Sequence, residues 1–132
     1  MAKKKIPQIP SLGEEDELVP TVERQIRPEV LRQALNPAVL ELLRGPGPKR
    51  RFPLLGEALS IGRGKDANIS VDSAELSRRH ASLTLLESEW TVQDLQSRNG
   101  IFLNGVKVHS AVLRDGDKLQ LGEVVFVFHE AR

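Results

Sequence analysis

Residues 89–105 read EWTVQDLQSRNGIFLNG, and this stretch decides the fold class. In its first part the apolar Trp90 and Val92 alternate with polar neighbours, which is the pattern of a half-buried β-strand. Asn-Gly pairs follow at 99–100 and 104–105, and such pairs favour tight turns between strands. One short apolar run separates the two pairs. The stretch therefore predicts a strand, a turn, a second short strand and another turn.

The same pattern continues on both sides of that stretch. Glycine-containing turns divide the chain from Phe52 to His129 into short β-prone runs, and no pattern long enough for a crossover helix lies between them. The last run, Val124–Phe128, is apolar throughout, which indicates a strand covered on both faces. Short strands with close turns and no crossover helices predict an all-β fold, an antiparallel sandwich or barrel.

The first 47 residues have a different composition. Residues 1–20 hold lysines, prolines and an acidic run with few large apolar side chains, which predicts a disordered tail. Over residues 21–47 the apolar spacings of three and four predict a short helical segment, which Pro37 divides into two helices. Gly45–Pro48 then predicts a hinge, and a globular domain is expected over residues 48–132.

Composition excludes several classes of function. The chain has 132 residues and no cysteine, so disulfide scaffolds, thiol nucleophiles and cysteine-based zinc sites are ruled out. Its three histidines are dispersed without metal-ligand spacing, and we expect neither a metal nor a cofactor. A net charge of +1 gives no bulk attraction to nucleic acid. No membrane span or signal sequence is recognisable, which favours a cytoplasmic protein without membrane contact.

Three predicted loops carry an unusual number of hydrogen-bond donors. Gly62–Lys65 places a guanidinium and an ammonium beside two glycines, and Ser77–His80 combines a hydroxyl, two guanidiniums and an imidazole. Ser97–Gly100 adds a side-chain amide that can donate to and accept from a peptide backbone. Guanidiniums, hydroxyls and free backbone amides together suit a phosphate group, which offers more acceptor oxygens and more charge than a carboxylate. The loops predict a phosphopeptide-binding protein.

In this order and among short strands, these residues resemble the signature of forkhead-associated (FHA) domains. The blocks that carry the resemblance are Gly62-Arg63, Ser77-Arg78-Arg79-His80-Ala81, Asn99-Gly100 and Asn104-Gly105. The resemblance spans about residues 48–132 and implies an eleven-stranded antiparallel sandwich that binds phosphothreonine peptides through loops at one end. Ile101 departs from the family pattern, which often has threonine there.

The resemblance also implies roles for individual residues. Arg63 and Ser77 would bind the phosphate, with Arg78 supplementing them and Arg98 as a further contact. Asn99 would hold the peptide backbone. The residues expected to be structural are His80, which would brace the Ser77 loop, and the turn residues Gly62, Gly100, Asn104 and Gly105.

Family members choose partners by the third residue after the phosphothreonine, using the loop that leads into the serine. Here that loop carries Asp72 and Glu75, and an acidic lining would favour a basic residue at that peptide position. Thr21 is the one threonine outside the predicted strands, and Arg24 is the third residue after it. Phosphorylated Thr21 is therefore predicted to bind the Arg63 site of its own chain or of a second copy.

Two other classes of function remain as alternatives. Ser77, His80 and Asp94 could be read as a hydrolase triad, but no strand-turn-helix nucleophile elbow accompanies them. A phosphate-independent scaffold for protein-protein interaction is the main alternative. The sequence favours a non-catalytic adaptor in Ser/Thr kinase signalling, with phosphothreonine proteins and a Ser/Thr protein kinase as partners.

Overall fold

The computed structural model describes residues 36–131, and these residues form eleven β-strands. The strands are β1 (Val39–Arg44), β2 (Arg51–Pro53), β3 (Ala58–Gly62), β4 (Ile69–Ser70), β5 (Ala81–Leu86), β6 (Glu89–Asp94), β7 (Ile101–Leu103), β8 (Val106–Val108), β9 (Ser110–Val112), β10 (Lys118–Leu121) and β11 (Val124–His129). All pairings are antiparallel except that of β3 with β4. The predicted all-β fold is confirmed.

The strands form two sheets that share one hydrophobic core. The six-stranded sheet has the order β2-β1-β11-β10-β7-β8, and the five-stranded sheet has the order β4-β3-β5-β6-β9. Leu40 and Phe126 of the first sheet and Leu83 and Val92 of the second belong to the same buried cluster. The alternation seen around Trp90 is confirmed, since this side chain is buried in the core. Both sheets therefore pack their apolar faces together as a sandwich.

The helix predicted after Pro37 is wrong, because Val39–Arg44 is strand β1. Its neighbours are β11 on one side, where Leu42 faces Phe126, and β2 on the other. The run is apolar enough to fit either period, but it is only six residues long and its alternate leucines Leu40 and Leu42 are the buried ones. Gly45–Pro48 is the loop between two strands of one sheet, so the sandwich begins before residue 48.

Other expectations for the N-terminal part lie outside the described residues. These are the tail over residues 1–20 and the helix before Asn36. Nearer the C-terminus, the short strands β8 and β9 follow each other closely in the chain but belong to different sheets. Within residues 36–131 there is no helix of the length and apolarity needed to cross a membrane.

The register of the strands brings four connections to one end of the sandwich. Ile61 pairs with Ala81, and Ala81 pairs with Asp94, so the end of β3, the start of β5 and the end of β6 are level. In the other sheet Ile101 pairs with Leu121. The β3–β4, β4–β5, β6–β7 and β10–β11 connections consequently meet at this end, and three of them contain the donor-rich segments.

Candidate functional site

The β3–β4 and β4–β5 loops lie side by side through backbone hydrogen bonds. The Arg63 amide donates to the Ser77 carbonyl at 3.0 Å, and the Gly64 amide donates to the Arg78 carbonyl at 3.0 Å. Gly62 permits this approach, because a Cβ atom there would lie 2.1 Å from the Arg78 carbonyl oxygen. The glycine was predicted as a turn residue, but its use is close backbone contact.

The Arg63 side chain is anchored at one nitrogen and open at the others. Its Nε donates to the Leu76 carbonyl at 3.2 Å. Among residues 36–131 the two terminal nitrogens have no hydrogen-bond or ion-pair partner, and the residue is exposed. A guanidinium fixed in this way presents its remaining N–H groups to a ligand with less loss of side-chain entropy than a free arginine would suffer.

The Ser77 hydroxyl is oriented by the neighbouring β6–β7 loop. Its Oγ accepts the backbone N–H of Arg98 at 3.1 Å, so the hydroxyl proton is available to an incoming acceptor. The Arg98 guanidinium donates to the Ala74 carbonyl at 3.0 Å, which closes the two loops on each other. The contact with Ala74 does not test whether Arg98 also binds phosphate, so that role stays a prediction.

Asn99 makes a second bridge between the same two loops. Its Nδ2 donates to the Glu75 carbonyl at 2.7 Å. The amide oxygen has no partner within residues 36–131, so it can accept an N–H group from a bound peptide backbone. Glu75 itself is exposed beside this bridge.

His80 is fully buried and joins the two loops from beneath. Its Nδ1 accepts the Ser77 N–H at 3.1 Å, and its Nε2 donates to the Gly100 carbonyl at 2.8 Å. Because a backbone amide only donates and a carbonyl only accepts, these partners fix the neutral tautomer with hydrogen on Nε2. The contacts support the predicted structural role of His80.

The same contacts leave the hydrolase alternative without a triad. Neither ring nitrogen of His80 bonds the Ser77 hydroxyl, since each already binds a backbone group. Asp94 instead accepts the Ser97 hydroxyl at 2.5 Å. A base that cannot reach the nucleophile and a carboxylate that does not touch the base cannot perform acyl transfer as arranged here.

A pocket of about 500 Å³ adjoins Arg63. It is lined by Arg63, Gly64, Lys65, Asp66, Asp72 and Arg78. Two of the predicted phosphate ligands, Arg63 and Arg78, therefore line the same pocket. The sequence did not single out Asp66 as a lining residue, because its place there depends on how the β3–β4 loop folds back beside Gly64.

Two of the predicted structural residues lie away from this site. Asn104 and Gly105 form the β7–β8 turn with φ angles of 50° and 86°, as a two-residue hairpin requires. The Asn104 side chain binds Asp117 and the Lys118 amide, both at 3.0 Å. Gly100, in contrast, belongs to the site, with a φ of 77° beside Asn99.

Three hydrogen-bonded loops at one end of this β-sandwich carry a guanidinium, a hydroxyl and a carboxamide, an arrangement typical of β-sandwich modules that bind ligands through their end loops. The model of the FHA domain matches residues 59–122 of the chain. The chain belongs to the FHA domain family.

Known proteins of the family resemble the chain closely. The glycogen accumulation regulator GarA of Mycobacterium tuberculosis is 42% identical over 91 residues, which cover 69% of this chain and 56% of GarA. The chain thus spans little more than half the length of that relative. The FHA domain of FhaA, solved in complex with the intracellular domain of Rv3910, superposes with a TM-score of 0.65 at 30% identity, covering 70% of this chain and 99% of that one.

A further solved structure comes from a study of phosphothreonine-dependent FHA domain interactions. It superposes with a TM-score of 0.65 at 29% identity and covers 71% of this chain and 98% of its own. This chain covers both solved domains almost completely.

Proposed function

We propose that this chain is a non-catalytic, cytoplasmic adaptor that binds phosphothreonine-containing proteins in Ser/Thr kinase signalling. Arg63 and Ser77 bind the phosphate with help from Arg78, and Asn99 binds the peptide backbone beside it. The phosphothreonine-dependent interactions reported for a structural neighbour support this assignment. A Ser/Thr protein kinase supplies the phosphorylated partner.

One observation carries the proposal: hydrogen bonds join three loops at one end of the sandwich, and donors on these loops are left without partners among residues 36–131. Within the described part of the chain, the two terminal nitrogens of Arg63 and the hydroxyl proton of Ser77 have no partner, and the Ser77 hydroxyl is oriented by the Arg98 amide. A phosphate of charge about −1.5 to −2 accepts hydrogen bonds from such donors far more strongly than a neutral side chain does. The alternative of a phosphate-independent scaffold gives these donors no use.

Selectivity is assigned to the loop that precedes Ser77. Glu75 and Asp72 are exposed acidic residues there, and neither side chain has an ion pair within residues 36–131. They favour arginine or lysine at the third residue after the phosphothreonine and disfavour acid. A degenerate phosphothreonine library that selects acid at that position would contradict this part of the proposal.

Thr21 is proposed as a self-regulatory phosphorylation site, although it lies outside the described residues. Arg24 supplies a basic third residue after it, which matches the acidic loop. Protein phosphorylated at Thr21 is expected to bind an external phosphothreonine peptide more weakly, and its sedimentation coefficient separates binding within one chain from self-association. Unchanged peptide affinity after phosphorylation would contradict self-regulation through Thr21.

The experiment that tests the site is amide chemical-shift mapping by NMR. A phosphothreonine peptide with arginine at the third following position is expected to shift amides over residues 62–65, 75–80 and 97–100. Its unphosphorylated form should leave them in place. Shifts spread over a sheet face, equal for both peptides, would favour the scaffold instead.

A further inference from the structure

Among residues 36–131, the buried polar side chains are those of Ser73 and His80, and both belong to the β4–β5 loop. Their exposed fractions are 2% and 0%. A buried polar group costs free energy unless it is hydrogen-bonded, so each of these side chains needs defined partners. His80 finds them in the β6–β7 loop, on the phosphate side of the site. Ser73 has no part in the phosphate site.

Ser73 connects the selectivity end of the loop to the β10–β11 turn. Its Oγ donates to Glu123 Oε2 at 2.8 Å and accepts the Glu75 backbone N–H at 3.3 Å. A hydrogen bond to a carboxylate is stronger than one between neutral groups, so Glu123 is an effective anchor. Through one hydroxyl, the backbone of Glu75 is tied to a turn of the opposite sheet.

The turn also packs against Glu75 directly. Gly122 has a φ of 59°, and a Cβ atom there would lie 2.8 Å from the Glu75 Cβ. Gln120 Nε2 donates to the Gly122 carbonyl at 2.9 Å, which holds the turn in this conformation. In addition, the Glu75 carbonyl oxygen accepts a hydrogen bond from Asn99 Nδ2. The residue assigned to selectivity is therefore held from two directions.

We propose that Ser73 and Glu123 are positioning residues for peptide selectivity, acting on Glu75 as His80 acts on Ser77. The inference rests on the proposed function, because it assigns a structural cause to selectivity at the same site. Since the two buried side chains brace opposite ends of one loop, phosphate affinity and selectivity should be separable. His80 controls phosphate affinity, and the Ser73–Glu123 hydrogen bond controls selectivity.

The test compares two phosphothreonine peptides that differ only in having arginine or alanine at the third following residue. The wild-type protein is expected to prefer arginine by about fivefold, the upper end for an exposed ion pair. Glu123→Ala removes the acceptor and should bring that preference close to one, as should Ser73→Ala. Glu123→Gln keeps an acceptor oxygen but makes a weaker hydrogen bond, so it should retain part of the preference and lose less of it than Glu123→Ala does. All three variants should still bind phosphothreonine over threonine.

Equal loss in Glu123→Gln and Glu123→Ala would overturn the proposal, because the carboxylate would then act through its charge. A preserved preference in Glu123→Ala, or none in the wild-type protein, would overturn it too. If the wild-type protein fails to distinguish phosphothreonine from threonine, the proposed function itself is wrong. In that case the Ser73–Glu123 contact is still tested by hydrogen exchange at the Glu75 amide, which should accelerate in Ser73→Ala and Glu123→Ala and less so in Glu123→Gln.

Discussion

At the residue scale, the site separates groups that meet the ligand from a group that holds the loops. Arg63 and Ser77 keep donors unused, whereas His80 uses both ring nitrogens on backbone partners. Phosphate binding by these loops was predicted from the sequence, because guanidinium and hydroxyl groups suit phosphate. Which donors remain free could not be predicted, because that depends on carbonyl groups such as that of Leu76, far along the chain.

Arg63→Ala is expected to weaken phosphothreonine-peptide binding by about 2–5 kcal/mol, because it removes the charged partner of the phosphate. Ser77→Ala should cost about 1.5–3 kcal/mol, because it removes one hydrogen bond to a charged group. Thermal stability should stay close to that of the wild-type protein. Calorimetric titration and thermal melts check both statements. Arg79→Ala is the matched control, since this exposed arginine has no side-chain hydrogen bond or ion pair within residues 36–131. A loss of binding in the control equal to that in Arg63→Ala would contradict the assignment.

His80→Ala is expected to lower both binding and stability. The substitution leaves the Ser77 N–H and the Gly100 carbonyl without partners, at about 1–3 kcal/mol for each buried group. Denaturant unfolding measures the loss, and peptide titration of the folded fraction measures the effect on the site. Wild-type stability in this variant would show that the histidine does not brace the loops.

Glu41 is expected to contribute to the stability of the fold in a way that depends on pH. The hydrogen bond from His129, with the nearby Arg51, holds the pKa of this carboxyl below its ordinary value. The group therefore binds protons more readily in the unfolded chain, and its stabilising contribution is present at neutral pH and lost as the pH falls through the folded-state pKa. Glu41→Gln should lose less stability between pH 7 and acidic pH than the wild-type protein.

Urea unfolding at a series of pH values measures the effect of Glu41. Glu89→Gln serves as the control, because Glu89 is exposed and has no ion pair among the described residues. A Glu41→Gln profile parallel to that of the wild-type protein would contradict the coupling.

At the scale of elements, β1 shows where sequence reasoning fails and why. Val39–Arg44 is apolar at spacings that suit a helix as well as a strand, and local sequence could not decide between them. The segment becomes a strand because it pairs with β11 on one side and β2 on the other, which completes a six-stranded sheet. Pairing partners more than eighty positions away were outside the reach of the local pattern, as Leu40 with Phe128 illustrates.

Leu40→Ala is expected to destabilise the domain by about 2–5 kcal/mol, the range for truncating a fully buried leucine. Leu43→Ala should cost much less, because Leu43 is 42% exposed. Denaturant unfolding of both variants makes the comparison. Equal, small effects would place this segment outside the core.

Gly62→Ala is expected to disturb the contact between the β3–β4 and β4–β5 loops, because the backbone oxygen of Arg78 occupies the space of the new methyl group. Both thermal stability and phosphopeptide affinity should fall. Gly116→Ala is the control, since its positive φ adds strain but nothing lies within 4 Å of the new atom. Gly116→Ala should lower stability alone. Normal peptide affinity in Gly62→Ala would contradict the loop arrangement.

At the scale of the whole molecule, fold class and site followed from different kinds of evidence. Dense turns and alternating strands predicted an antiparallel sandwich or barrel, and the FHA resemblance predicted a sandwich of eleven strands. Local signals identified the three donor-rich loops, and the FHA resemblance assigned roles to Arg63, Ser77 and Asn99 within them. Neither assigned a role to Ser73 or Glu123. A serine in a loop and a glutamate in a turn are ordinary surface residues until the sheets bring them to 2.8 Å.

The central claim is that one end of this sandwich binds a phosphate group on threonine. Isothermal titration of the wild-type protein with a phosphothreonine peptide and with its unphosphorylated twin tests it most directly. Binding of the phosphorylated peptide should be saturable, and the affinity for the twin should be lower by at least about tenfold, the factor that corresponds to 1.4 kcal/mol. Equal affinity for the two peptides would contradict it.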